Sequence, residues 1–187
     1  MDPKIIIAIA VIVVAVLIVI WAVIRKRQRT ILRENFGPEY QRAVKEHGTT
    51  RAEAVLLERQ KRVETFELKT LSVDERERFI SQWRVVQSRF VDDPDGAVRD
   101  ADTLVTRLMQ YRGYPMTNFE QRSADLSVHY PNVVDNYRAA HEIALRHQRG
   151  EASTEDLRNS MIYYRTLFDE LLETNTPRIH AEKREVA

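Results

Sequence analysis

Residues 72–111 read SVDERERFISQWRVVQSRFVDDPDGAVRDADTLVTRLMQY and contain two successive helical periods. Ser72 and Glu75 have the spacing of a capping box, which predicts that a helix begins here. Apolar residues then recur on one helical face: Phe79, Ile80, Trp83, Val86 and Phe90. A turn of aspartates around Pro94 and Gly96 follows, and proline suits the first turn of the next helix. The apolar face of that helix comprises Ala97, Val98, Ala101, Leu104, Val105, Leu108 and Met109.

Sequence signals for helix starts and helix ends continue to residue 173. Gly113 followed by Pro115 predicts a helix end, Asn118 caps a short helix over 119–126, and Pro131 begins a helix that Gly150 ends. Ser153-x-x-Asp156 opens the last helix. The predicted inward faces are Val133, Val134, Tyr137, Ala140, His141, Ala144 and Leu145, then Leu157, Met161, Tyr164, Phe168 and Leu171. No run alternates with a period of two, so the sequence predicts an all-α fold with a compact helical bundle over 72–173.

Residues 25–71 are rich in charge, and we interpret them as a basic flank followed by a helical spacer. Gly37-Pro38 should interrupt the first helix and Gly48 should end it. Thr50-x-x-Glu53 resembles another capping box, which would open a helix running to about Glu67. Its apolar stripe is thin and consists of Ala52, Leu56, Val63 and Phe66. A solvated spacer and a short coiled coil both fit this composition.

A run without charge extends from Ile5 to Ile24, behind a short flank of residues 1–4. Twenty helical residues span about 30 Å, the thickness of the hydrocarbon core of a bilayer. The run therefore predicts a transmembrane helix. A cleaved signal peptide would need a small-residue cleavage site after a shorter apolar run, and Arg25-Lys26-Arg27 follows this run directly.

The flanks of this run predict its orientation. Basic residues concentrate on the cytoplasmic side of single spans, and the C-terminal flank carries Arg25, Lys26, Arg27 and Arg29. Trp21 stands where an interfacial aromatic residue would lie, and the cations could contact anionic lipid headgroups. We therefore expect a single-pass protein of the inner (plasma) membrane, with its N-terminus outside and residues 25–187 in the cytoplasm.

A stripe of small residues lies within the run. It consists of Ala8, Ala15 and Ala22, seven residues apart. Small residues allow two membrane helices to approach closely, so homo-oligomerisation through this stripe is one interpretation. Alanine as ordinary membrane filler is the other.

Composition excludes several functional classes. The chain has no cysteine, which removes disulfides, thiolate metal sites and cysteine nucleophiles. Residues 30–173 contain 21 basic and 25 acidic side chains, and an acidic body lacks the electrostatic footprint of nucleic-acid binding. The tail over 174–187 is polar and aperiodic and is predicted to be disordered.

Motifs of catalysis, cofactor binding and metal binding are not found. The sequence lacks a glycine-rich phosphate loop and a G-x-S-x-G elbow. His141 and His147 are six residues apart, whereas zinc-binding histidines on one helical face are four apart. Asp93-x-Asp95-Gly96 lacks the remaining ligands of a calcium loop. We therefore assign no catalytic, cofactor or metal-ligating residue.

Tyrosines and arginines are frequent in the C-terminal half, and both are favoured at protein interfaces. We select Arg112, Tyr114, Tyr163 and Arg165 as a possible partner surface. The alternative is that the tyrosines complete the edge of the core, with the ring buried and the hydroxyl wet.

Five stretches of this chain are similar to segments of an uncharacterised group of bacterial single-span membrane proteins with a C-terminal helical domain. They are Arg89-Phe-Val-Asp-Asp-Pro-Asp-Gly-Ala-Val98, Arg112-Gly-Tyr-Pro115, Phe119-Glu-Gln-Arg-Ser-Ala-Asp-Leu126, Tyr137-Arg-Ala-Ala-His141 and Arg149-Gly-Glu-Ala-Ser-Thr-Glu-Asp-Leu-Arg158. The resemblance runs from the apolar run to about Leu172. It implies bacterial origin and membrane attachment, and no activity comes with it.

Three functional interpretations follow. The first is a membrane-anchored helical interaction or scaffolding module without catalytic activity, with a protein partner. The second is an accessory or regulatory subunit of a larger envelope, transport or signalling complex. The third is an enzyme with an unrecognised site, which would require a cleft where ionisable groups converge.

Overall fold

The computed structural model describes the backbone of residues 3–173 and the side chains of residues 12–173. Seven helices and no strand occur in this part of the chain, which confirms the all-α prediction. They are α1 (Pro3–His47), α2 (Thr49–Val63), α3 (Val73–Arg89), α4 (Pro94–Tyr111), α5 (Phe119–His129), α6 (Val134–Gln148) and α7 (Thr154–Glu173). The predicted tail over 174–187 lies outside the described residues.

The chain divides into two compact units, Met1–Leu57 and Glu58–Ala187. The boundary falls inside α2, whereas the sequence placed the start of the compact domain at Ser72. The second unit thus begins within the segment interpreted as a spacer. Phe66, Leu68 and Leu71, from that segment, pack against the core of the second unit.

The first unit bends and turns at its two glycines. Gly37 has φ 44° and ψ −118°, which interrupts α1 just before Pro38, and Gly48 has φ 74° between α1 and α2. Both predicted interruptions are confirmed. The apolar stripe of this unit is buried: Leu32, Phe36, Tyr40, Ala43, Ala52 and Leu56.

The predicted capping box at Thr50 is wrong, since α2 already begins at Thr49. Glu53 lies inside the helix and is 8% exposed. Its carboxylate accepts a hydrogen bond from the Tyr40 hydroxyl at 3.2 Å and pairs with Arg29 Nε at 2.8 Å. Glu53 therefore joins the two helices of this unit instead of capping one of them.

Along the described part of the chain, no helix combines the length and the apolar content that a bilayer crossing requires. The predicted span Ile5–Ile24 falls on α1, and its side chains from residue 5 to residue 11 lie outside the described residues.

The second unit is built around α4, α6 and α7, with α3 packed on α4 and α5 on α6. The predicted inward faces of α4 and α7 are buried, including Leu108 and Tyr164 at 0% exposure. Aromatic contacts connect the helices: the Trp83 and Phe168 rings stack at 4.8 Å, and the Tyr137 and Tyr164 rings meet edge to face at 6.4 Å.

Side-chain caps fix the starts of α3, α5 and α7, as the sequence predicted. Ser72 and Glu75 form a complete capping box, and Asn118 accepts the Gln121 N–H at 2.9 Å. At α7, Ser153 Oγ accepts the Asp156 N–H at 3.2 Å, while Asp156 Oδ2 accepts the Ser153 N–H at 2.8 Å. Capped ends satisfy backbone N–H groups that have no partner within the helix.

Two predicted details of α2 and α6 are wrong. α2 ends at Val63, not near Glu67, and α6 begins at Val134, not at Pro131. On α6, Leu145 is 41% exposed and Ile143 only 6% exposed. The buried stripe is centred between Tyr137 and Ala140, which places Leu145 about 110° and Ile143 about 90° from its centre.

The cap of α7 predicts a pH dependence of stability. Hydrogen bonds from Ser153 and the nearby Arg146 guanidinium lower the pKa of Asp156 from 3.8 to about 2. Because the folded pKa lies below the unfolded one, this contribution is complete above pH 3.8 and is lost as the pH falls to about 2. The free energy of unfolding of Asp156→Asn should therefore fall less between pH 4 and pH 2 than that of the native chain, as urea titrations would measure. An equal fall in the free energy of unfolding of the two chains over this pH range would contradict the lowered pKa of Asp156.

Candidate functional site

Two places in the second unit bring polar side chains together, and the first is a cluster between α4, α5, α6 and α7. The polar cluster consists of Asp102, Thr106, Arg122, Tyr137, His141 and Tyr164. The Tyr164 hydroxyl donates to Asp102 Oδ1 at 3.0 Å. The His141 ring, which the sequence placed on the inward face, is half-buried and stacks on Phe119 with a centroid separation of 3.6 Å.

Burial keeps the ionisable rings of the polar cluster neutral at pH 7. It raises the pKa of Tyr137 to about 12 and raises that of Tyr164 still further. It also lowers the pKa of His141. The two phenols are therefore held away from the range in which they could act as bases, and the cluster residues line none of the four grooves described below. Its contacts are those of packing between helices.

Three buried polar atoms of the cluster make no hydrogen bond of good geometry among the described residues, although Thr106 and Arg122 lie close enough to the Tyr137 hydroxyl to lower its pKa. They are Tyr137 Oη, Thr106 Oγ1 and Arg122 Nε. A buried polar group without a partner destabilises the fold, whereas a satisfied one is close to neutral or favourable. The two buried tyrosines, both 0% exposed, therefore differ in what their hydroxyls contribute.

We expect Tyr164→Phe to lower the free energy of unfolding by about 1 kcal/mol, because it removes a hydrogen bond to Asp102. Tyr137→Phe should leave it unchanged or raise it, because the hydroxyl that it removes is buried without a hydrogen bond of good geometry. Urea unfolding of the two variants measures the difference. A larger loss for Tyr137→Phe would show that its hydroxyl has a partner.

The second place is an open groove of about 610 Å³ between α3 and α4. We call it the basic groove. It is lined by Lys69, Glu75, Arg78, Phe79, Gln82, Arg107, Gln110 and Tyr111. The Phe79 and Tyr111 rings meet edge to face at 5.8 Å, which gives the groove an aromatic floor.

The charges of the basic groove are unbalanced. Lys69, Arg78 and Arg107 make no ion pair within 4.0 Å among the described residues. The one carboxylate, Glu75, accepts the Ser72 N–H at 2.8 Å as part of the capping box, and these hydrogen bonds lower its pKa. The groove therefore presents three cations without an ion pair within 4.0 Å among the described residues, and one anion that is engaged with a helix end and attracts Arg78.

Open grooves continue along both sides of α3. Gln82 and Arg107 also border a second groove of about 300 Å³, which Val85, Val86 and Leu104 line with apolar surface. On the side of α7 lie two further grooves of about 310 Å³ and 170 Å³. Val85, which the sequence placed off the buried face, is 68% exposed here.

Half of the predicted partner surface is wrong. Arg112 is 1% exposed and its Nη1 donates to the Leu171 carbonyl at 3.0 Å. Tyr114 is 4% exposed, and its hydroxyl lies 2.7 Å from His129 Nδ1. Gly113, with φ 94°, turns the chain between them. The predicted helix end at Gly113 is present, and the turn is packed against the chain at Glu67 and Leu68.

The other two members of the predicted surface lie on α7. Arg165 is exposed, and its Nε is 3.5 Å from Asp169 Oδ2. It borders both grooves between α3 and α7. Tyr163 is half-buried and packs against the core, because its neighbour Tyr164 occupies the fully buried position.

Four of the five predicted membrane-interface residues, Trp21, Lys26, Arg27 and Arg29, are exposed on α1, and Arg25 is half-buried. Trp21 is 59% exposed, and the Arg25 guanidinium lies 5.1 Å from its ring centroid. Arg29 pairs with Glu53 within the first unit. Lys26 and Arg27 are exposed, as are Ala15 and Ala22 of the small-residue stripe, while the side chain of Ala8 lies outside the described residues.

The candidate metal sites considered from the sequence hold other contacts. Asp93 accepts the Gly96 N–H at 2.8 Å and pairs with Arg89. His147 Nε2 lies 2.6 Å from Asp95 Oδ1. Within residues 12–173, no group of three or more histidine, aspartate or glutamate side chains is arranged to hold a metal ion.

The sequence interpretation missed the basic groove. Its cations stand on the polar faces of two amphipathic helices, where charge usually means solvated surface. The available signal was Tyr111, an aromatic residue off the apolar face of α4, together with Arg78 and Arg107. Nothing in the sequence alone brings those positions together, because the register of α3 against α4 is a tertiary property.

Comparison with known proteins gave no match to a family model, a curated protein or a solved structure.

Proposed function

We propose that this protein is a membrane-anchored interaction module without catalytic activity, which recruits a partner through the surface around α3. The observation that carries the proposal is that α3 is bordered by open grooves on both sides, while the faces of α4, α6 and α7 close on one another. A helix exposed in this way is a frequent means of recognition between helical proteins.

The anchor rests on the apolar run of α1. Its large side chains from Ile12 to Ile24 are 49–62% exposed, on every side of the helix. A helix that is apolar all round is typical of a lipid environment or a deeply buried position. Together with the uncharged sequence from residue 5 and the basic flank from Arg25, this supports a span with the helical domain on the basic, cytoplasmic side.

The polar cluster and the basic groove are the reason why the proposal includes no catalytic activity. Burial holds the phenols of the polar cluster neutral, and the basic groove contains cations without a free base beside them. An active site usually combines an accessible cleft with ionisable groups of perturbed pKa. In the described part of the second unit, the buried phenols line none of these grooves, and Glu75, the carboxylate of lowered pKa in the basic groove, is engaged at the start of α3.

Two measurements test the anchor. The full chain should remain in the membrane pellet after extraction with alkaline carbonate, and a reporter fused after residue 187 should be active only as a cytoplasmic reporter. Release into the supernatant would refute the anchor, and activity of an exported reporter would refute the orientation.

Photocrosslinking in intact membranes tests the interaction surface. A photoreactive phenylalanine at Gln82, which borders two grooves, should form discrete adducts on irradiation. The same group at Glu142, an exposed residue of α6, is the matched control. Adducts of twice the mass of the chain would indicate self-association, and several adducts of large mass would favour an accessory subunit of a larger complex. No adduct specific to Gln82 would refute recruitment through α3.

A further inference from the structure

We infer that the basic groove binds an acidic peptide segment of a partner protein, with an aromatic or aliphatic side chain inserted against Phe79 and Tyr111. This inference deepens the proposed function, on which it rests, by naming the chemistry of the partner.

Charge complementarity is the first argument. Lys69, Arg78 and Arg107 surround the groove without an ion pair among the described residues. On the same two helices, Arg89 pairs with both Asp93 and Asp100 at 2.6 Å, and Arg99 pairs with Asp95. Two arginines of these helices outside the groove, Arg89 and Arg99, are thus neutralised by neighbouring carboxylates, whereas the cations of the groove are open to the carboxylates of a partner. Opposed charges at a rim steer association and select the partner.

The floor of the groove supplies the second argument. Phe79 is partly buried and Tyr111 is 41% exposed, so an inserted apolar side chain would remove exposed aromatic surface from water. Rings that combine an apolar face with a hydroxyl are frequent anchors of interfaces. Gln82 and Gln110 stand beside this floor, and their amides can donate to and accept from a peptide backbone.

The length of the groove fits a short segment. The basic groove begins at Glu75, and the second groove that shares Gln82 and Arg107 reaches Val86. This part of α3 is about 16 Å long at 1.5 Å per residue, which matches about three turns of a helix or five residues of extended chain. The charge is at one end and Val85, Val86 and Leu104 are at the other. The fitting segment therefore carries its carboxylates at one end and apolar residues at the other.

A peptide is favoured over a bilayer surface or a nucleic acid. Polyanionic surfaces are bound by broad arrays of lysine and arginine, whereas residues 30–173 carry four more acidic than basic side chains, 25 against 21. Here three cations surround an aromatic floor, beside a glutamate and two glutamines. A site with so few cations can bind a few carboxylates but offers little to an extended polyanion.

The test uses the full chain in detergent micelles and fluorescein-labelled dodecapeptides as probes. Four peptides carry four glutamates at one end and either tryptophan or two leucines at the other, in both chain directions. We expect at least one to bind with a Kd of about 100 µM or tighter, as fluorescence anisotropy would measure. The same peptide with glutamines in place of the glutamates should bind at least tenfold more weakly.

Two charge-reversal variants locate the site. Arg78→Glu with Arg107→Glu should weaken binding of the peptide at least tenfold. Arg76→Glu with Arg84→Glu makes the same change of charge beside the groove on the other side of α3 and should weaken it less than threefold. Circular dichroism and thermal unfolding establish that both variants are folded.

Several results would overturn the inference. They are no binding by any of the four peptides, equal binding of the glutamine peptide, or equal losses in the two variants. Tighter binding to vesicles containing phosphatidylglycerol or to a single-stranded DNA dodecamer, lost in Arg78→Glu with Arg107→Glu, would assign the groove to another polyanion. If crosslinks from Gln82 persist in membranes while the peptides fail, the chemistry of the partner is wrong and the proposed function stands.

Discussion

Gly113→Ala should lower the free energy of unfolding of the second unit by about 2–5 kcal/mol. Gly113 has φ 94°, a conformation that costs an L-residue about 1–2 kcal/mol. A Cβ at this position would also lie 2.4 Å from the Glu67 carbonyl oxygen, which is backbone and has little freedom to move. Relief of such an overlap by shifting packed backbone costs about 1–3 kcal/mol more.

Gly150→Ala is the matched control for Gly113→Ala. Gly150 has φ 72°, but an added Cβ there meets nothing within 4 Å. Its substitution should therefore cost only about 1–2 kcal/mol, for the backbone conformation alone. Urea unfolding of both variants measures the difference. Equal losses would show that the close approach of Glu67 is relieved without cost.

The close approach at Gly113 has a structural reason. Lys69 N–H donates to the Arg112 carbonyl at 3.0 Å, so the segment between α2 and α3 runs directly beside the end of α4. Phe66 meets the Tyr114 ring edge to face at 6.3 Å on the same side. A side chain at residue 113 would push this segment away, and with it Lys69, which borders the basic groove.

Phe168→Ala should lower the free energy of unfolding by about 3–5 kcal/mol, as is usual for a large aromatic residue in a closed core. Phe168 is 1% exposed and stacks on Trp83 at 4.8 Å. Its removal would leave a cavity between α3 and α7 and would release the ring contact that holds α3 at its edge position.

Ile162→Ala provides the control for Phe168→Ala. Ile162 belongs to the same helix and is 53% exposed, so its truncation removes little buried surface. We expect a loss of less than about 1 kcal/mol. Chemical unfolding of the two variants side by side gives the comparison. A small effect of Phe168→Ala would mean that α3 repacks into the space.

The sequence predicted best where local chemistry decides the structure. Ser72, Asn118 and Ser153 cap the helices at which the sequence placed them, because a cap depends only on residues three positions apart. Gly37 interrupts α1 and Gly48 ends it for equally local reasons. The buried faces of α4 and α7 followed from helical periodicity, since each is a wide and regular apolar stripe.

The sequence failed where tertiary contacts choose between local alternatives. Glu53 has capping-box spacing from Thr50, but its carboxylate accepts a hydrogen bond from Tyr40 and pairs with Arg29. Arg112 follows a long amphipathic helix, where an arginine is usually solvated, yet it is buried against the Leu171 carbonyl. The same limitation applies to the basic groove. Its cations converge through the packing of two helices, which no single-helix pattern contains.

The stacking of Trp83 on Phe168 has a practical consequence for spectroscopy. The chain has only two tryptophans, and their surroundings differ sharply: Trp83 is 5% exposed, whereas Trp21 is 59% exposed on the apolar helix. Each compact unit therefore carries one tryptophan. With Trp21 replaced by phenylalanine, the tryptophan emission maximum follows the unfolding of the bundle. With Trp83 replaced instead, brominated lipids test the proposed anchor, because they quench Trp21 only if it lies within the bilayer.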